Sequence, residues 1–206
     1  MAGAPPETEF ELTGGSLCLD FANTLGDRSR ATNEHLRNYA DLLRFSRQTE
    51  SLSHSELNDL EVLYADCDGC VEPIFTKVIQ LRESIYRIFS DMARGQSPQE
   101  QDIDRLNKVL HKALRQLEVR GSGVGFDWAW GGPIQALDRP LWPIARSAAE
   151  LLTSEDLGCI RECASETCSW LFMDCSRNQR RRWCDMSTCG NRAKARRHYQ
   201  KRKQAG

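Results

Sequence analysis

Near its C-terminus the chain carries two cysteine pairs of identical spacing, Cys163-Ala-Ser-Glu-Thr-Cys168 and Cys184-Asp-Met-Ser-Thr-Cys189. Between them lie an apolar run, Ser-Trp-Leu-Phe-Met-Asp, a polar turn, Ser176-Arg-Asn-Gln, and then Arg-Arg-Arg-Trp. Two short strands around a polar turn predict a hairpin that returns the second pair to the first. Four thiolates gathered in this way form a closed tetrahedral zinc site with bonds of about 2.3 Å. Such a staple is needed. Residues 159–206 hold few large apolar side chains, among them Trp170, Leu171, Phe172 and Trp183. A module this small, with so little core, does not offset its chain entropy unaided. One structural Zn2+ per chain, on Cys163, Cys168, Cys184 and Cys189, is therefore the expected cofactor. A complete shell of four cysteines leaves no position for a catalytic water. Buried free cysteines are the alternative reading, and two matching pairs beside a hairpin weigh against it. Cys159 and Cys175 are near enough in sequence to compete as ligands, but neither belongs to a matched pair.

Charge follows the same division. Across 206 residues, 28 Lys+Arg nearly balance 29 Asp+Glu. Residues 159–206, however, hold twelve basic and four acidic side chains, and the remainder of the chain carries a net −9. An acidic body joined to a basic segment predicts a polyanionic partner. Arg180, Arg181 and Arg182 end the predicted hairpin. Asn191, Arg192, Lys194, Arg196 and Arg197 lie on a predicted helix after Cys189, whose basic positions point in nearly every direction. Phosphate contact follows from that distribution. Arg192, Arg196 and Asn191 are placed to reach guanine and adenine edges if the helix N-terminus enters a major groove.

Upstream, Phe10–Leu25 alternates apolar and polar residues around Gly14-Gly15, the pattern of a short β-hairpin. Helical spacing predicts helices over residues 34–48, from the capping box Ser53-His-Ser-Glu56 onward, over 73–92, from a second box Ser97-Pro98-Gln99-Glu100 to Leu117, and over 142–152. Phe126, Trp128 and Trp130 alternate like a strand after three closely spaced glycines. The expected fold class is mainly α with small β elements (α+β): a helical domain over 8–155, then a treble-clef or ribbon-like zinc finger over 157–206.

No window approaches the roughly 18 apolar residues of a membrane span. The N-terminus has neither the basic nor the apolar region of a secretory signal. A cytoplasmic location, with thiols free or metal-bound rather than disulfide-linked, is expected. Cys67-Asp-Gly-Cys70 reads as structural or incidental, and Cys18 as core.

The finger segment, ending in Cys189-Gly190-Asn191-Arg192 and a basic helix, resembles the CGNR zinc finger. The opening FELTGGSLCLDFANTL, followed by a helix, resembles the ABATE domain that usually precedes that finger. The resemblance implies a stress-linked bacterial transcription regulator with zinc on the four named cysteines. It also implies a sensor role for the N-terminal domain. Cys175 stands where such fingers commonly carry a basic or polar residue.

The four histidines, His35, His54, His111 and His198, form no metalloprotease or deaminase signature, and no catalytic residues are assigned. Asp20 and Asn23 read first as caps of the next helix and second as the lining of an effector pocket. The expected function is a zinc-dependent DNA-binding transcription regulator, not an enzyme, with double-stranded DNA, a small-molecule effector and a second copy in a homodimer as partners, and no membrane. An RNA-binding or ribosome-associated zinc protein is the rival reading.

Overall fold

The computed structural model describes residues 9–67, 69–133 and 136–204. The first turn of the chain departs from the alternating pattern. Leu17–Ala22 is a helix, α1, and not the arm of a hairpin. Six apolar-rich residues are too few for periodicity to separate strand from helix. Packing decides instead: Cys18, Leu19, Phe21 and Ala22 are all fully buried, with α1 pressed on two long helices described below. Gly14 permits the tight entry, because a Cβ there would stand 2.8 Å from the Cβ of Leu19. The small hairpin comes later, as β1 (Leu25–Asp27) paired antiparallel with β2 (Thr32–Glu34).

Helix α2 (Tyr39–Gln48) starts where the Asn38 side chain accepts the Asp41 N–H. Helix α3 (His54–Ala65) begins in the full capping box of Ser53 and Glu56. Helix α4 (Glu72–Ala93) runs for 22 residues with Val78, Leu81, Ile85, Ile88 and Phe89 buried, and stops before Gly95 in the left-handed region. The second predicted box is not formed. Helix α5 (Glu100–Leu114) has Gln99 at its N-cap and no side-chain cap bond. Tertiary bonds fix its start instead, since Asp102 accepts from Ser84 Oγ at 2.8 Å and from Arg87 Nε at 2.8 Å on α4. Leu117 is strand and not helix, opening β3 (Leu117–Ser122), which pairs antiparallel with β4 (Gly125–Trp130). Trp130 lies 5.9 Å from Trp142, centroid to centroid, at the start of α6 (Leu141–Leu152). Helix α1 packs on α4 and α6, and α5 crosses both. One apolar core fills the space between them.

Cys67 and Cys70 are joined as a disulfide, against the expectation of thiols free or metal-bound throughout; the CxxC turn sets their Cα atoms 5.8 Å apart, within disulfide range. The other seven cysteines are unpaired. No helix among the described residues is long and apolar enough to cross a membrane.

After a 3-10 turn (Glu155–Cys159), the strands β5 (Ile160–Glu162) and β6 (Leu171–Met173) pair antiparallel, Arg161 opposite Phe172. The predicted finger hairpin is thus corrected. β6 pairs with the strand before the first cysteine pair, whereas Arg180–Arg182 form no strand. Strand alternation divides this ribbon between two cores. Ile160, Leu171 and Met173 pack into the helical body, while Phe172 joins Trp170, Cys163, Cys184 and Cys189 in a second cluster. Polar bonds fasten the seam. The Asn23 side chain donates to the Leu171 carbonyl and accepts its N–H, both at 2.8 Å. Tyr86 of α4 and Arg94 at its C-cap hold Glu162 at 2.8 and 2.7 Å. The finger is built onto the body.

Candidate metal centre and nucleic-acid face

The first cysteine pair sits in the turn between β5 and β6. Cys163 N–H donates to the Trp170 carbonyl at 2.8 Å, and Cys168 N–H donates back to Ser165, so the four-residue spacing closes a knuckle. The second pair is delivered by an irregular return. Asp174 organises it, accepting the Ser176 N–H at 3.2 Å and the Arg181 N–H at 2.8 Å. The Ser176 hydroxyl, with these N–H groups, holds the Asp174 carboxyl below the usual carboxylate range. Ala164 N–H then reaches the Arg182 carbonyl at 2.8 Å, drawing the return against the knuckle. Asp185 accepts the Thr188 N–H at 2.7 Å and starts a π-turn, Met186–Gly190, that carries Cys189. Helix α7 (Asn191–Gln204) follows directly.

This scaffold brings Cys163, Cys168, Cys184 and Cys189 together, with all four sulfurs within 4.8 Å of one another. Cys168 Sγ lies 3.8 Å and Cys189 Sγ 3.7 Å from Cys184 Sγ. A tetrahedron with zinc–sulfur bonds of about 2.3 Å has edges of about 3.8 Å, so the sulfurs already stand at ligand spacing. The electrostatics agree. Hydrogen bonds from Cys168 and Cys184 hold the Cys163 thiol well below the usual thiol range, and those same contacts drive Cys168 and Cys184 upward. Four crowded sulfurs cannot all ionise without a central cation to neutralise them. The donor set fits zinc, and the zinc is structural, with every position taken by sulfur. Cys159 and Cys175 are not in this cluster.

The predicted nucleic-acid residues fall into two groups. Arg181 is committed to the fold. Its guanidinium lies 4.5 Å from the Phe172 ring centroid, donates to the Trp183 carbonyl at 2.9 Å and binds the Cys184 carbonyl. Arg192 donates to Thr167 Oγ1 at 3.3 Å and Arg196 pairs with Glu166, so both tie α7 to the knuckle. Asn191 donates to the Ser187 carbonyl at 3.0 Å within its own turn. Arg180, Arg182, Lys194 and Arg197 form no ion pair among the described residues, and all four are exposed. Arg182 lies 5.4 Å from the Trp183 ring.

Asp20 and Asn23 do not cap α2, which is capped by Asn38. Asp20 lies inside α1 and accepts the Gly14 N–H at 2.7 Å, and burial lifts its carboxyl to about 6. Both residues line a cleft of about 290 Å³ that also includes His35 and Trp170. Burial likewise lifts Cys18 to about 11, as suits a core thiol.

Sequence reasoning missed the roles of Asp174, Asp185 and His35, and read Trp170 only as part of the finger's apolar core. The Asp-x-x-Thr spacing at 185–188 is a readable N-cap signal, and Asp-x-Ser at 174–176 is a readable side-chain turn. Nothing in the sequence marks His35 or Trp170 as neighbours, because β-ribbon packing on the body brings them together.

A helical body sharing a seam with a four-cysteine module, whose last helix is basic on all sides, defines a zinc-finger protein with an appended helical domain. Comparison with family profiles specifies it further. Residues 15–155 match ABATE, described as "Putative stress-induced transcription regulator", and residues 160–202 match the CGNR zinc finger. The first match covers more than half of the chain, which belongs to the ABATE family. A search of curated proteins returned no match.

Proposed function

We propose that this zinc-finger regulator is a cytoplasmic, non-enzymatic transcription regulator that binds duplex DNA through its finger and senses a small effector through its helical domain. The observation that carries the reading is the separation of roles among the finger's cations. Arg181, Arg192 and Arg196 hold the module together, which leaves Arg180, Arg182, Lys194 and Arg197 without ion-pair partners among the described residues, on a zinc-clamped frame. Helix α7 buries no apolar stripe, and its contacts are made chiefly with the π-turn before it. A surface of unneutralised guanidinium and ammonium groups is complementary to a phosphate backbone.

The effector half of the reading rests on the cleft beside Asp20. It lies at the body–finger seam, so an occupant would touch both parts. Asn23 has both amide atoms engaged with Leu171, which makes it the connection to the finger, while Asp20 lines the cleft with a carboxyl engaged by Gly14 through one oxygen. An effector shifts DNA affinity to the extent that it binds the two states unequally.

The test is a mobility-shift titration of the full chain on duplex DNA from 50 to 200 mM salt. Six to ten phosphate contacts lose roughly 10³–10⁵ in affinity across that range. A flat response would contradict the proposal, as would selective displacement of the duplex by structured RNA, the outcome an RNA-binding protein would give.

A further inference from the structure

The ribbon that carries the zinc knuckle also gathers a second set of donors, separate from the four cysteines. Cys159 is the last residue before β5, and Cys175 follows β6 by two positions. The Asp174 N–H donates to the Cys159 carbonyl at 2.8 Å, extending the ladder and bringing the two cysteines together across it. Both sulfurs and a carboxylate oxygen of Asp156 lie within 4.8 Å of one another. A supporting layer is present as well. Gln179 Nε2 donates to Cys159 Sγ at 3.5 Å, and Gln179 Oε1 in turn accepts from Arg161 at 3.0 Å. Metal-binding sulfurs are commonly oriented by outer partners of this sort.

We propose that Asp156, Cys159 and Cys175 form a second metal site, exchangeable and open, that takes a borderline-soft divalent cation, either zinc or cadmium. Two thiolates and one carboxylate select such ions over magnesium or calcium, which prefer all-oxygen shells. Three protein donors leave the fourth tetrahedral position to water. Cys175 and Asp156 are exposed and Cys159 is half-buried, so ions enter directly from solvent. Binding releases the two thiol protons. Because its shell is incomplete and exposed, this site binds more weakly than the closed four-cysteine site, and its occupancy follows the free metal level. An ion there ties the turn after α6 to the exit of β6, immediately before the loop that bears Arg180.

The experiment is equilibrium dialysis of the full chain against micromolar zinc, under a non-thiol reductant and without oxygen, followed by elemental analysis. Two zinc ions per native chain are expected and one per chain for the Cys159→Ser/Cys175→Ser variant, with Asp156→Asn filling its second site only at higher zinc. In parallel, zinc and not magnesium should slow alkylation of Cys159 and Cys175 in the native chain, an assay that needs no variant. Continued protection of the four finger cysteines confirms that each variant is folded. One ion per native chain, two in the double variant, or a Cys159–Cys175 disulfide in place of the second ion would each overturn the proposal. None of these results bears on DNA binding, so failure here is distinct from failure of the regulator reading.

Discussion

Arg181 and Arg182 are adjacent in sequence and divide fold from function. Arg181 donates to two carbonyls of the segment that delivers Cys184 and stacks on Phe172, whereas Arg182 rests beside Trp183 and is exposed. Charge-assisted bonds of this kind contribute about 1–3 kcal/mol. Arg181→Ala should therefore lower finger stability by about that amount and speed zinc loss to a chelator. Arg182→Ala should leave the urea midpoint nearly unchanged and weaken only duplex binding. Equal melts for the two variants would refute this division. Asp20 gives a pH prediction. Its folded value, about 6, lies above the ordinary 3.8. The folded state therefore holds a proton more tightly than the unfolded chain, and stability falls as pH rises from about 4 to above 6. Asp20→Asn keeps an acceptor for Gly14 and removes the ionisation. Its stability relative to native should climb through that window to a plateau of roughly 2–3 kcal/mol, read from urea unfolding at successive pH values. A difference independent of pH would count against the burial of this carboxyl.

Among the elements, legibility tracks how much information each one carries locally. Helix α4 offers 22 residues of regular spacing and a glycine stop, and α3 announces itself through Ser53 and Glu56; both lie where the pattern places them. Helix α1 does not, since six apolar-rich residues contain no usable period and its helicity comes from burial against α4 and α6. The start of α5 is obscured for a related reason, because Ser97 has the right spacing but Asp102 is bound by Ser84 and Arg87. Strand β6 is legible in position and not in pairing. Its partner precedes the knuckle, and a three-residue strand has no preference between neighbours until the body supplies Asn23 as a third edge. That dependence is testable. Asn23→Ala leaves the Leu171 N–H and carbonyl without their side-chain partner, at about 1–3 kcal/mol for each buried group. The variant should show faster amide exchange in β5 and β6 while α2 and α3 are unaffected. Unchanged exchange at Leu171 would show that the seam is held by other contacts.

For the whole molecule, the four zinc ligands were legible because matched spacing is itself the signal, while the seam between body and finger was not. A boundary near residue 157 follows from composition, yet Ile160 and Leu171 sit in the helical core. Composition records what a segment is made of, and side-chain alternation decides which core each residue enters. The basic face was legible as charge and not as roles. Of the residues expected at base edges, Arg192 contacts Thr167, Arg196 pairs with Glu166 and Asn191 bonds to the Ser187 carbonyl, intramolecular contacts that composition alone does not announce. The regulator reading depends on zinc holding the exposed cations in one frame, and fluorescence anisotropy on a duplex at 50 mM salt, native chain against Cys184→Ser, tests it most directly. The expected result is a loss of at least about 100-fold in affinity for the variant with the helical signal of α2–α6 retained, and a native log–log salt slope of about −5 or steeper. Equal affinity in the two proteins would contradict it.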